Sequence, residues 1–358
     1  MPKRVPLYAP IWEHSVSASA AVHPRPTEPK QAAWIGFVAS ARAWLFLAVL
    51  IVGFEIWSQV SFQATFIGNV FNIRSIAVFA VAPLLLAIGQ TFVIISGGID
   101  LSVGFTMGFA AVIVSNVANL LTPEIGTVPG LIVAVMVAVG ASALPGLVNG
   151  LLIARLRVPP FIGTLGMYGV VRGVAYLLAG GTTVPVANDA LAYVGNGSIA
   201  GIPVVVLLTI LAMLVLHYIL SQSRFGQYVY AVGGNRAAAV RAGINVRRVT
   251  VRIYVLSAIC AGIGGVLYAG RFSAGAAQAG EPLLLDSIAA VVIGGASLFG
   301  GSGTIVGTLI GALIVAVIEY GLVFINVEPF WQFVAVGVVI IISVLVDQSQ
   351  RKGGRVDE

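Results

Sequence analysis

The chain has 358 residues, of which 59% are hydrophobic and 9% charged, with a formal net charge of +6. Soluble globular chains carry about a quarter charged residues, so this composition, with a mean hydropathy of +1.03, excludes an ordinary water-soluble protein. One cysteine, Cys260, cannot form an internal disulfide, and His14, His23 and His217 show no ligand spacing. No metal site is therefore expected, and no cofactor bound by this chain.

Residues 1–30 are polar and proline-rich and lack the apolar core and small-residue cleavage site of a secretory signal. Residues 1–42 read as a mobile tail. Ten apolar stretches follow, at 43–60, 75–96, 102–121, 128–153, 161–180, 202–220, 251–271, 283–300, 304–325 and 330–346. A helix of about 20 apolar residues crosses a bilayer core, and helix is forced because amides in lipid must bond within their own segment. The expected fold is all-α, a polytopic transmembrane bundle of about ten helices (eight to ten) over residues 43–346. A loop at 221–250 interrupts it and a tail, 347–358, ends it. The eighth stretch is rich in glycine and carries Asp286, which suits a broken or re-entrant segment. Gly104 with Gly108, and Gly307 with Gly311, are small-residue pairs at a spacing that lets helices approach closely.

Lysine and arginine orient the bundle. With the N-terminus inside and ten crossings, sixteen of the nineteen basic residues fall on one side; Arg74, Arg172 and Arg271 are the exceptions. An odd number of crossings would separate the basic 221–250 loop from the basic C-terminal tail. Both termini are thus expected in the cytoplasm of a bacterial cell, with the chain in the inner membrane.

Polar residues inside spans are costly, about 3 kcal/mol for a mid-helix charge on insertion scales, and tend to face a cavity or a partner. Asn116, Asn149, Phe161, Thr164 and Tyr168 supply the amides, hydroxyls and aromatic faces that a neutral polyhydroxylated solute would meet, so they are candidates for a translocation path. Interhelical hydrogen bonding is the simpler account of the polar ones. Asp100, in GGIDLSVG, is either a helix cap at a tight turn or part of a gate. Asp286 has the same two readings. In GGASLFGGSGT, Ser302 or Thr304 is placed to cap the next helix.

The most informative stretch is 224–248, RFGQYVYAVGGNRAAAVRAGINVRR. Asn235 suits a helix N-cap, residues 236–242 are strong helix formers, Gly243 suits the left-handed closing position, and Arg241 lies in the last turn beside the negative end of the dipole. The result is a peg of about two turns, some 10 Å long, with an alanine surface flanked by arginines. It would fit a groove on a cytoplasmic partner or lie against lipid headgroups.

This segment resembles the cytoplasmic coupling loop of the ABC-importer permeases of the ribose, xylose, arabinose and galactose type. Their pattern, A-x-G-x-N-x-x-A-A-x-x-x-G-I, is met by Ala231, Gly233, Asn235, Ala238, Ala239, Gly243 and Ile244. Residues 89–104 (GQTFVIISGGIDLSVG) and 285–310 resemble the same family. The resemblance implies a transport subunit, not an enzyme. It implies pairing with a second permease copy or a paralogue, a periplasmic solute-binding protein that delivers a sugar or sugar-like solute, and an ATP-binding cassette ATPase that binds ATP and Mg. Gly233, Asn235, Arg236, Ala238, Ala239, Arg241, Gly243 and Ile244 would form the ATPase-coupling segment. The chain has no G-x-x-x-x-G-K-[ST] phosphate loop of its own. A self-contained secondary transporter or channel is the alternative, but it calls for paired ionisable residues along a route, and Asp100, Asp286 and Glu319 are scattered in the sequence. A membrane enzyme ranks last, for want of any recognisable catalytic motif.

Overall fold

The computed structural model describes the backbone of residues 30–328 and 330–353, and the side chains of 42–328, 330–342 and 345. Two units separate, Met1–Ala39 and Ser40–Glu358. In the first, only the opening of helix α1 is described. The expected mobile tail lies largely outside the described residues.

The elements run α1 (Lys30–Phe62), α2 (Val70–Ile95), α3 (Val103–Ile125), α4 (Thr127–Ala154), α5 (Pro160–Leu178), β1 (Val184–Pro185), α6 (Asp189–Asn196), β2 (Ser198–Ile199), β3 (Ile202–Pro203), α7 (Val204–Gln222), α8 (Arg224–Gly234), α9 (Arg236–Arg241), α10 (Val246–Phe272), β4 (Ala274–Gly275), α11 (Leu283–Ile293), α12 (Ile305–Phe324) and α13 (Phe330–Gly353). Each of the ten apolar stretches contains a helix, which runs nearly all of its length in every one but the eighth. Among the described residues, eight helices are long and apolar enough to cross a membrane: α1 from Arg42, then α2, α3, α4, α5, α7, α10 and α12. The apolar part of α13, Phe330–Ile342, is shorter.

The eighth stretch is broken. Its helix, α11, has 11 residues and would rise about 16 Å. The non-helical chain before it lies along α3. A Cβ built on Gly108 would overlap the Ala277 carbonyl oxygen, and one on Gly104 would come within 2.6 Å of the Gly280 oxygen. The pair in α3 therefore admits a run of turns, 276–282, and not, as its spacing suggested, another helix. The pair in α12 does admit a helix: a Cβ on Gly311 would overlap the Ala290 carbonyl of α11.

Helix α2 sits at the centre, packed against α10, α11, α12 and α7. Its Phe92, Val93, Ile94 and Ile95 join Val229 and Val232 of α8, Ile253 and Tyr254 of α10 and Ile305 of α12 in one buried cluster. Cys260 lies in the same cluster as a free thiol. Exposed apolar side chains, among them Trp44, Val49 and Ile56 on α1 and Leu211, Leu214 and Tyr218 on α7, give the bundle a surface suited to lipid.

At one end of the bundle, α6 caps the α3–α4 turn. The Asn188 amide donates to Thr122 Oγ1 (2.8 Å) and to the Thr127 carbonyl (3.0 Å). On the far side of α6, Arg271 donates to Asn196 Oδ1 at 2.8 Å. The β2–β3 hairpin turns through Ala200 (φ 50°) and Gly201 (φ 81°), the paired positive φ values of a type I′ turn. The opposite end carries α8 and α9.

Candidate functional site

The α8–α9 arm is built by local chemistry. Ser223 caps α8, accepting from the Gly226 amide. Asn235 caps α9, accepting from Ala238 N at 2.9 Å. At the other end of α9, Gly243 N bonds the Val240 carbonyl (3.0 Å) and Ile244 N bonds the Ala239 carbonyl (3.0 Å), with Gly243 at φ 79°. This is the two-bond Schellman closure that needs a residue without Cβ strain.

The arm divides the eight predicted coupling residues. Arg236, Ala238, Arg241 and Gly243 are exposed, as are Asn235 and the neighbouring Val240. Ala239 is buried and Ile244 packs against the core. Gly233 faces inward, where a Cβ would overlap the Ile95 carbonyl oxygen and crowd Gly301 N. Sequence reasoning left 224–234 as loop, whereas it forms α8. Gly226, Val229, Tyr230 and Gly233 recur at helical spacing and form its inward stripe, a signal present in the sequence. Tyr230 donates to the Gly303 carbonyl at 2.6 Å; burial raises its phenol above the ordinary range, so the group stays a donor.

Asp100 is fully buried between α2 and α3. Its Oδ1 accepts from Ser102 N (3.0 Å), Ser102 Oγ (2.6 Å) and Asn149 Nδ2 (3.5 Å), and its Oδ2 accepts from Ser257 Oγ (3.2 Å). Gln90 donates to the Asp100 carbonyl. Ser102, the N-cap residue of α3, makes no side-chain cap bond, because its hydroxyl is turned to Asp100. Asn149 Oδ1 and Tyr254 OH lie buried without a partner among the described residues. Ser257 and Tyr254 were not expected here; one hydroxyl inside an apolar helix gives no directional signal. Thr304, by contrast, caps α12 as anticipated, accepting from Gly307 N at 2.9 Å.

The candidate path residues do not line one surface. Asn149 sits in the Asp100 network. Thr164 is buried and donates to the Pro160 carbonyl (2.9 Å) and the Ile99 carbonyl (3.3 Å). Asn116 donates to the Leu178 carbonyl at 3.0 Å. Phe161 is exposed on α5, and Tyr168 OH is 3.1 Å from Glu281 Oε1. Arg172, also on α5, lies 5.4 Å from the centre of the Phe105 ring. The exposed side of α5 carries Gly166, Gly169 and Gly173, each with open space where a Cβ would stand.

Asp286 and Glu319 lie together in the wall of a 480 Å³ cavity whose lining also includes Phe79, Tyr268, Arg271 and Gln332. They are remote in sequence, and the turn between α11 and α12 brings them together. No cluster of three or more metal-ligating side chains occurs among the described residues.

Fold and site together define a multi-pass α-helical membrane protein with a basic helical arm at one end of its bundle. The chain belongs to the family described as branched-chain amino acid transport system / permease component, whose model matches residues 72–344. It is similar to the ribose import permease protein RbsC of Escherichia coli K12, 36% identical over 319 residues, which cover 87% of this chain and 96% of the relative. It is also similar to the fructose import permease protein FrcC of Rhizobium meliloti, 40% identical over 275 residues and 74% of each chain. The galactose/methyl galactoside import permease protein MglC of E. coli K12 is 34% identical over 293 residues, 78% of this chain and 87% of the relative. No solved structure matches. The resemblance drawn from the three sequence blocks thus leads to the same group of permeases.

Proposed function

We propose that the chain is the membrane-spanning permease subunit of an ATP-driven importer for a sugar or sugar-like solute. The observation that carries this reading is the α9 peg, which follows α8, seats Ala239 on the bundle and exposes Ala237, Ala238 and Ala242 between Arg236 and Arg241. The named substrates of the similar permeases are all sugars, which supports the solute class. In this reading the peg docks into a groove on a separate cassette ATPase, which binds ATP and Mg and does the hydrolysis. A periplasmic binding protein delivers the solute on the opposite side. Both termini and the arm lie in the cytoplasm, and the protein sits in the bacterial inner membrane.

A second permease copy, or a paralogue, would cover the exposed side of α5. Arg172 is exposed there, and a charge is costly against lipid. The glycines leave room for a close neighbour or for a solute. Phe161 and Tyr168 lie on the same helix, so α5 is the wall we assign to the path.

Co-purification tests the reading. The chain expressed with its neighbouring ATPase and binding-protein genes should isolate with the ATPase bound. Deleting 235–243 should remove both the ATPase and uptake while leaving membrane insertion intact. Uptake by the isolated chain, with no ATPase present, would instead favour a self-contained transporter, for which the Asp286–Glu319 pair in its cavity is the one supporting observation.

A further inference from the structure

Three glycine tracts far apart in sequence meet behind the arm: Gly97–Gly98 after α2, Gly233–Gly234 at the end of α8, and Gly300–Gly303 before α12. Gly301 N donates to the Ile95 carbonyl at 2.8 Å, joining the tip of α2 to the turn before α12. Gly233 sits on that bond, so closely that a Cβ would strike both of its atoms. Gly300 (φ 87°) would carry a Cβ 2.9 Å from the Gly233 carbonyl oxygen and 3.0 Å from Gly97 N. Tyr230 reaches past the seam to the Gly303 carbonyl, and Phe225 of α8 stacks on Phe92 of α2, with ring centres 6.1 Å apart.

Beyond the seam, polar contacts continue from α2 into the bundle. Thr91 meets Thr308 of α12 at 2.7 Å. Gln90 holds the Asp100 turn, which is bonded to Asn149 of α4 and Ser257 of α10.

We infer that Gly233 and Tyr230 are positioning residues: they lock α8 to the tips of α2 and α12, so that displacement of the α9 peg moves these helices as one body. The inference rests on the importer reading and adds to it the route by which force enters the membrane. It also removes Gly233 from the surface offered to the ATPase. A backbone-to-backbone seam suits this role, since it has no side-chain torsions through which a displacement could be absorbed.

The readout is solute taken up per ATP hydrolysed, in vesicles holding the whole transporter. Gly233→Ala should lower that ratio by about tenfold, a coupling loss in the range typical of linked sites. Gly234→Ala, whose Cβ meets nothing within 4 Å, should leave the ratio unchanged and serves as the matched control. Tyr230→Phe should assemble normally and lower the ratio by a smaller factor. An unchanged ratio in Gly233→Ala, or an equal fall in Gly234→Ala, would overturn the inference while leaving the importer reading intact. If Gly233→Ala does not insert, Tyr230→Phe decides: a wild-type ratio there overturns the inference. A wild-type chain that binds no ATPase overturns both readings.

Discussion

Helices α2 and α5 are both apolar enough to span a membrane, yet 83% of the apolar window of α2 is buried within the chain and only 28% of that of α5. Mean hydropathy is not the cause, since α4 and α7 are at least as apolar as α2 and no more buried than α5; lipid and protein interior are similarly apolar solvents. Small residues and polar anchors separate them. Along α2, Gly89, Gln90 and Thr91 are buried and pull in α10, the Asp100 turn and α12 respectively. Along α5, Gly166, Gly169 and Gly173 face open space, and the exposed Arg172 rests over the Phe105 ring. The buried helix is the hub of the bundle, and the exposed one is the face to which we assigned a second copy.

The contrast breaks most sharply at Asp100. Asp100→Ala strands the buried Ser102 and Ser257 donors at once, Asn149 keeping its 2.9 Å bond to Ser102 Oγ, and should destabilise the folded bundle by about 3 kcal/mol, since buried unsatisfied groups cost about 1–3 kcal/mol each. Unfolding in mixed detergent micelles measures it, and a loss below the error of that method would mean the network is not a structural hub. Next comes Gly108→Ala, which drives a methyl into the Ala277 carbonyl and should cost about 2 kcal/mol, as overpacking does; the same assay checks it. Thr91 and Thr308 form one interhelical bond, and a double-mutant cycle with valine at each should return a coupling of about 0.6 kcal/mol. On the other side of the comparison, Gly169→Ala meets empty space and should raise the stability of the isolated chain slightly, by at most about 1 kcal/mol. The same change should weaken self-association in crosslinking if a second copy covers α5; unchanged association would turn that face toward lipid or solute instead.

Much of this was legible in the sequence, for definite reasons. The ten apolar stretches were visible because bilayer thickness fixes a length. The Asn235 cap and the Gly243 closure were visible because both are local events, decided within one or two turns of backbone. Thr304 was legible on the same ground. The Asp100 turn was half legible: GGID signals a turn, but the partners that hold it, Asn149 and Ser257, lie 49 and 157 residues away. The Asp286–Glu319 pair and the glycine seam were hidden for the same reason. Helix-facing direction was also hidden, and so Gly233 and Ala239 were grouped with exposed neighbours although they point into the core.

The short eighth crossing has a consequence for how the protein is made. An insertion machine releases a segment sideways into lipid when that segment can satisfy its own amides and match the hydrocarbon thickness. Helix α11 bonds its own amides but has about half the needed length, and the turns before it leave amides for neighbouring helices to cover. They therefore depend on a groove formed by α2, α3 and α12, so this stretch settles only once α12 has followed it into the membrane.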